Sequence, residues 1–86
     1  MQVNGFTVMP QENFISARQC RMARAGATLS QKGLAEIAGL AERTVVSFEK
    51  GVDANRATRR VLRNALEQHG ATFIVPDGVS FQGEAA

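Results

Sequence analysis

The sequence predicts a mainly α chain: a bundle of four to five short helices, followed by a short C-terminal β hairpin or strand. Three observations carry this. Apolar residues recur at helical spacing in four stretches between residues 14 and 70. Gly39, Gly51 and Gly70 stand just past three of those stretches, where a left-handed residue ends a helix. After Gly70 the composition changes to β-branched and aromatic residues around Pro76-Asp77-Gly78, a turn signal. The chain therefore divides into an irregular or extended segment over 1–12, a helical domain over 13–70, and a β segment over 71–86 whose last residues fray.

Taken in order, Phe6-Thr7-Val8 reads as a short strand after the Asn4-Gly5 turn signal, and Pro10 then breaks the chain. A first helix is expected from about Phe14 to Ala25. Ile15, Cys20, Ala23 and Ala27 share its buried side, and Arg18 and Arg21 lie outside. Ser30 caps a second helix that ends near Ala38, because Gly39 suits the position just beyond. A third helix spans about Glu42 to Lys50, and Gly51 stops it. Asn55 or Thr58 caps a fourth, whose apolar stripe is Val61, Leu62, Ala65 and Leu66. In the tail, Phe73 and Val75 share one strand face and Thr72 and Ile74 the other. A lone hairpin is marginal in water. The tail must therefore pack on the helices, pair with Phe6–Val8, or pair with a second chain.

Composition narrows the function. Eighty-six residues suffice for one small domain. With no Trp or Tyr, the core falls to Leu, Val, Ile, Ala and five Phe. One cysteine, Cys20, and one histidine, His69, leave no disulfide and no multi-cysteine zinc site. No metal, cofactor or enzymatic activity is expected: neither a nucleophile–base pair, nor paired carboxylates, nor a phosphate loop is visible. Cys20 reads as a buried, inert thiol, and His69 as a residue favoured near a helix C-terminus. No apolar run reaches the roughly 20 residues of a membrane span. The N-terminus has neither a basic nor an apolar signal region, so a cytoplasmic protein is expected. All ten Lys and Arg lie between Arg18 and Arg63 with only four acids, a local balance of +6 against −4 in the two ends. A basic middle suits a polyanion partner. A solvated helical surface gives the same stripe.

The most informative stretch is LSQKGLAEIAGLAERTVVSFEKG, residues 29–51. Two short helices separated by about three residues must cross steeply and approach closely. Ala35 supplies a small contact, Gly39 a positive φ, and Leu40 and Val45 fill the angle between them. Arg24, Ser30-Gln31, Leu34-Ala35, Ala38-Gly39, Val45 and Glu49-Lys50-Gly51 together resemble the phage-repressor, or XRE-like, helix-turn-helix family, over residues 16 to about 70. The resemblance implies a lambda-repressor-like bundle, with 13–70 as a DNA-binding domain whose helix 42–50 enters the major groove. The tail is also similar to a small bacterial subgroup whose last helix leads into a β segment.

The outward face of the third helix holds Glu42, Arg43 and Ser47, because Val45 and Phe48 must face in. The resemblance implies that these three read bases. Arg43 has the donors for guanine O6 and N7, and Glu42 the acceptors for cytosine N4. Thr44 and Val46 suit either a phosphate or a thymine methyl. Gln31 starts the second helix, where amides and dipole favour phosphate, and the resemblance implies that contact. Lys32, Lys50, Arg56, Arg59 and Arg60 are candidate backbone contacts, with Lys50 and Arg56 flanking the loop after the third helix. Arg63 lies too far along. Arg24 and Glu49 match the family's buried, structural ion pair. The bland alternative for the polar face is a solvated helix surface.

Three departures stand out. Ala41 occupies the position that the family gives to a capping Ser or Thr. Gly33 stands where a Glu commonly completes the box begun by Ser30. Thr28 stands where the family often has Gly. The leading expectation is a sequence-specific DNA-binding transcriptional regulator, a repressor, acting as a homodimer on double-stranded DNA. The tail is the candidate interface. Competing expectations are a protein-binding adaptor or anti-activator, which Ala41 and the low net charge favour, and the antitoxin of a toxin–antitoxin pair.

Overall fold

The computed structural model describes residues 15–74 and 77–81. It is mainly helical. Four helices, α1 (Ala17–Gly26), α2 (Gln31–Ala38), α3 (Glu42–Glu49) and α4 (Arg56–Gln68), precede two strands, β1 (Ala71–Ile74) and β2 (Gly78–Phe81). The expected Phe6–Val8 strand, and Val75 and Pro76 of the tail, lie outside the described residues.

α1 starts three residues later than the apolar spacing suggests, and the cause is local. Ser16 and Gln19 form a capping box: the Ser16 hydroxyl accepts from the Gln19 amide and the Gln19 side chain accepts from the Ser16 amide, both at 3.0 Å. Ser30 caps α2 by accepting from the Gly33 amide at 2.8 Å. Asn55, not Thr58, caps α4, accepting from the Thr58 amide at 2.7 Å. Gly39, Gly51 and Gly70 all have positive φ, as the glycine positions imply. Thr28 also does, at φ 58°. It takes the left-handed conformation that a glycine adopts without strain. For a β-branched residue this costs about 1–2 kcal/mol.

The core is one cluster shared by all four helices and the first strand. Ile15, Cys20, Ala23, Leu34, Ala35, Val45, Phe48, Leu62, Ala65, Leu66 and Ala71 are buried in it. Ala27 and Val61, expected among the buried positions, are only half-buried. α2 packs on both α3 and α4, and α1 packs on α3, α4 and both strands. Ala35 and Val45 fill the angle between α2 and α3, with Leu40 half-buried beside them.

The tail closes on its own chain. β1 and β2 pair antiparallel, with Ala71 opposite Phe81 and Ile74 opposite Gly78. Phe73, Val79 and Phe81 pack on the core, while Thr72, Ile74 and Ser80 face out. Buried Gln19 fixes the hairpin to α1. Its two amide hydrogens go to the carbonyls of Ile74 and Gly78 at 3.1 and 3.0 Å, one on each side of the turn. The Ser16 hydroxyl donates to Asp77 at 2.9 Å, and Arg18 lies 3.6 Å from the same carboxylate. α1 has no acid in its own first turn, so Asp77 supplies the anion that its N-terminus favours. At the other end of α1, a Cβ on Gly26 would stand within 2.1 Å of the Phe81 ring, so the ring lies where only glycine leaves room. Deleting residues 71–86 would strip these contacts from the helices as well as altering any dimer. Among the described residues, no helix is long and apolar enough to cross a membrane.

Candidate nucleic-acid interface

α3 is held from one side and open on the other. Val45, Phe48 and Glu49 are buried, while Glu42, Arg43 and Lys50 are exposed, and Thr44, Val46 and Ser47 are half-buried. Helical periodicity accounts for part of this: burying 45, 48 and 49 turns 43, 47 and 50 outward, whereas Glu42, seven residues before Glu49 and on its side of the helix, is exposed at the helix's first turn.

The inner side converges on Glu49. Arg24 grips its carboxylate with two parallel bonds, Nε to Oε2 and Nη2 to Oε1, both 2.9 Å. This is the fork-to-fork geometry that favours arginine over lysine. Gln31 Nε2 donates to Oε1 at 3.0 Å, and the Cys20 thiol donates to Oε2 at 3.3 Å. The Glu49 side chain is 3% exposed and that of Arg24 21%. Burial alone would raise the Glu49 carboxyl, but hydrogen bonds from Arg24, Gln31 and Cys20, with the charge of Arg24, outweigh it and hold it below the usual carboxylate range. The same pairing pushes Arg24 up, against its partial burial. Burial, then the Glu49 charge, pushes the Cys20 thiol far up, so it stays protonated and acts as the donor.

Gln31 thus has a task that its sequence position did not announce. One of its two amide hydrogens is committed to Glu49, leaving the other and the carbonyl oxygen for a ligand. Arg21, assigned only to the outside of the first helix, also reaches the cluster: its Nη1 donates to the Glu49 main-chain carbonyl at 2.6 Å.

On the outer side, neither Glu42 nor Arg43 has an ion-pair or hydrogen-bond partner among the described residues. Arg43, Thr44 and Ser47 line a shallow cleft of about 320 Å³ with Phe48, Val52, Asp53, Ala54, Asn55 and Thr58. The cleft joins the outer face of α3 to the start of α4. Glu42, Gln31, Lys32, Lys50 and Arg56 do not line it. Lys32 and Arg56 are exposed on the first turns of α2 and α4. Arg59 is half-buried and Arg60 exposed. Arg63 pairs with Glu67 at 2.8 Å and lies over the Phe73 ring, 5.5 Å from its centre. His69 follows α4, its Nδ1 3.1 Å from the Ala65 carbonyl oxygen.

The N-terminus of α3 carries no side-chain cap, since Ala41 offers no acceptor. Glu42 stands in the first turn, a favourable place for an acid. Among the described residues, no cluster of three or more His, Cys, Asp or Glu could hold a metal ion. No protein-family model matches the chain, and no curated protein matches its sequence.

Proposed function

We propose that this chain is a sequence-specific DNA-binding transcriptional regulator of the lambda-repressor-like, XRE-like helix-turn-helix type, a repressor that works in the cytoplasm. The observation that carries the reading is the asymmetry of α3. Its inner side is fixed by five hydrogen bonds to one residue, Glu49, while Glu42 and Arg43 stand exposed without partners among the described residues. A helix held this firmly from behind suits the major groove, which admits one α-helix and reads its side chains at base edges. Arg43 addresses a guanine, Glu42 a cytosine amino group, and Ser47 either neighbour. Lys32, Lys50 and Arg56 are exposed cations that suit the flanking phosphates, with Gln31 using its remaining hydrogen and Thr44 its hydroxyl. A homodimer would place two such helices on half-sites about one helical turn apart. The outward face of the hairpin, with exposed Ile74, is the surface proposed for pairing.

Ala41 favours a second reading, a protein-binding adaptor or anti-activator that keeps the fold. Without a capping hydroxyl, α3 lacks one side-chain contact to phosphate. The two readings separate in a titration of labelled mixed-sequence duplex across a salt series. The regulator binds at low salt, and log affinity falls linearly with log salt, with a slope of about −0.9 for each phosphate contacted. No binding at low salt would remove the regulator reading for the free protein.

A further inference from the structure

We propose that Arg21 is a positioning residue for the reading helix: it fixes the main chain at the C-terminal end of α3 and so sets the tilt at which Glu42 and Arg43 are presented. The inference rests on the DNA-reading role of α3 proposed above.

The geometry distinguishes two kinds of hold on Glu49. Arg24, Gln31 and Cys20 hold its carboxylate. A glutamate side chain has three rotatable bonds, so a fixed carboxylate still allows the main chain to swing about it. Arg21 removes that freedom, because its Nη1 donates to the Glu49 carbonyl oxygen itself, at 2.6 Å. The last carbonyls of a helix lack intrahelical partners. In α3, those of Val46, Ser47 and Phe48 are taken by the amides of Lys50, Val52 and Gly51. For Glu49, the donor is Arg21. A cation at that end also meets the negative pole of the helix. Because α1 supplies both Arg21 and Arg24, one rigid helix grips one residue of α3 at its backbone and at its side-chain tip.

The lever is short but sufficient. Glu42 lies roughly 10 Å from Glu49 at about 1.5 Å per residue. A tilt of about 6° about Glu49 displaces the Glu42 end by roughly 1 Å, enough to loosen a bidentate contact to a base. Phosphate contacts made by flexible lysines tolerate such a shift. The loss of Arg21 therefore lowers discrimination between sequences more than it lowers affinity for DNA in general.

The test uses the full chain with Arg21→Ala and Arg21→Lys. Three quantities are measured: affinity for a preferred duplex and for a scrambled one, each across a salt series, and the backbone amide spectrum of the free protein. In Arg21→Ala the preferred-to-scrambled ratio falls about fivefold, the equivalent of one modest hydrogen bond. The salt slope is unchanged, amide resonances move along α3 from Arg43 to Gly51, and thermal unfolding changes little. Arg21→Lys, which keeps a donor and the charge, recovers most of the ratio. A salt slope smaller by about 0.9 with discrimination intact would make Arg21 a phosphate contact and overturn the proposal. Unmoved α3 amides would overturn it as well. If the wild-type chain bound no duplex, the DNA-reading role would fall and the claim about discrimination with it. The amide spectrum would still report separately whether Arg21 holds α3.

Discussion

The two ends of α3 are built on opposite principles. At its C-terminal end Glu49 is buried and saturated, with four bonds to its carboxylate and one to its carbonyl. At its N-terminal end Ala41 supplies no cap, and Glu42 and Arg43 stand exposed. One end places the helix and the other presents it. The difference shows how a chain with no Trp and no Tyr ties α1, α2 and α3 together at one charged residue given every partner it needs. The cost of taking a carboxylate out of water is met only because the partner set is complete.

The comparison is broken most severely by removing the anchor. Glu49→Ala leaves Arg24 partly buried beside an empty place and unties α1, α2 and α3 from one another. Stability should fall by about 3–5 kcal/mol, read as a lower midpoint in urea unfolding. A loss under about 1 kcal/mol would mean that the cluster is ornamental.

Acid tests the same end without a mutation. The Glu49 carboxyl is held below its ordinary range in the folded chain, so folding is favoured while it is ionised. That contribution is present in full above the ordinary glutamate pKa of about 4.3 and drains away as pH falls from there through the folded value. Urea midpoints for wild type and Glu49→Gln should therefore converge as pH drops below about 4. Parallel curves would place the carboxylate's contribution elsewhere.

At the other end the expected effects on stability are small. Ala41→Ser supplies the missing cap and should raise stability by about 0.5–1 kcal/mol. It should also strengthen duplex binding if phosphate approaches that end, and a thermal melt with a duplex titration reads both. Arg43→Ala should change stability by less than about 0.5 kcal/mol, since its side chain is exposed. It should weaken binding to a preferred site by about 1–3 kcal/mol. Destabilisation beyond about 1 kcal/mol would show that the open end is structural after all.

Much of this was legible in the residues because it is local. Gly39, Gly51 and Gly70 mark helix ends with no knowledge of the fold, since positive φ is a property of one residue. The Arg24–Glu49 pair was legible through a family resemblance, as spacing alone does not say that two helices meet there. Ser16 and Gln19 carried the capping-box spacing openly, and apolar periodicity drew attention away from it, placing the helix start at Phe14. What was not legible is what depends on distant carbonyls. Gln19 holds Ile74 and Gly78, and Arg21 holds Glu49, through main-chain oxygens that every residue possesses. No residue type at the accepting end signals such a bond. The tail shows the same limit. Its strand character is readable in the residues, but the packing of Phe81 against Gly26 is not, because that contact depends on how the hairpin lies on α1.

The central claim is that the exposed face of α3 reads sequence in double-stranded DNA. The most direct test is selection from a random duplex library with wild type and with Arg43→Ala, sequenced at two salt concentrations. The account predicts an enriched motif for the wild type, and the loss of preference at one base pair for Arg43→Ala with the rest of the motif retained. Salt-sensitive binding with no enriched motif would contradict it, leaving a basic surface that recognises only charge.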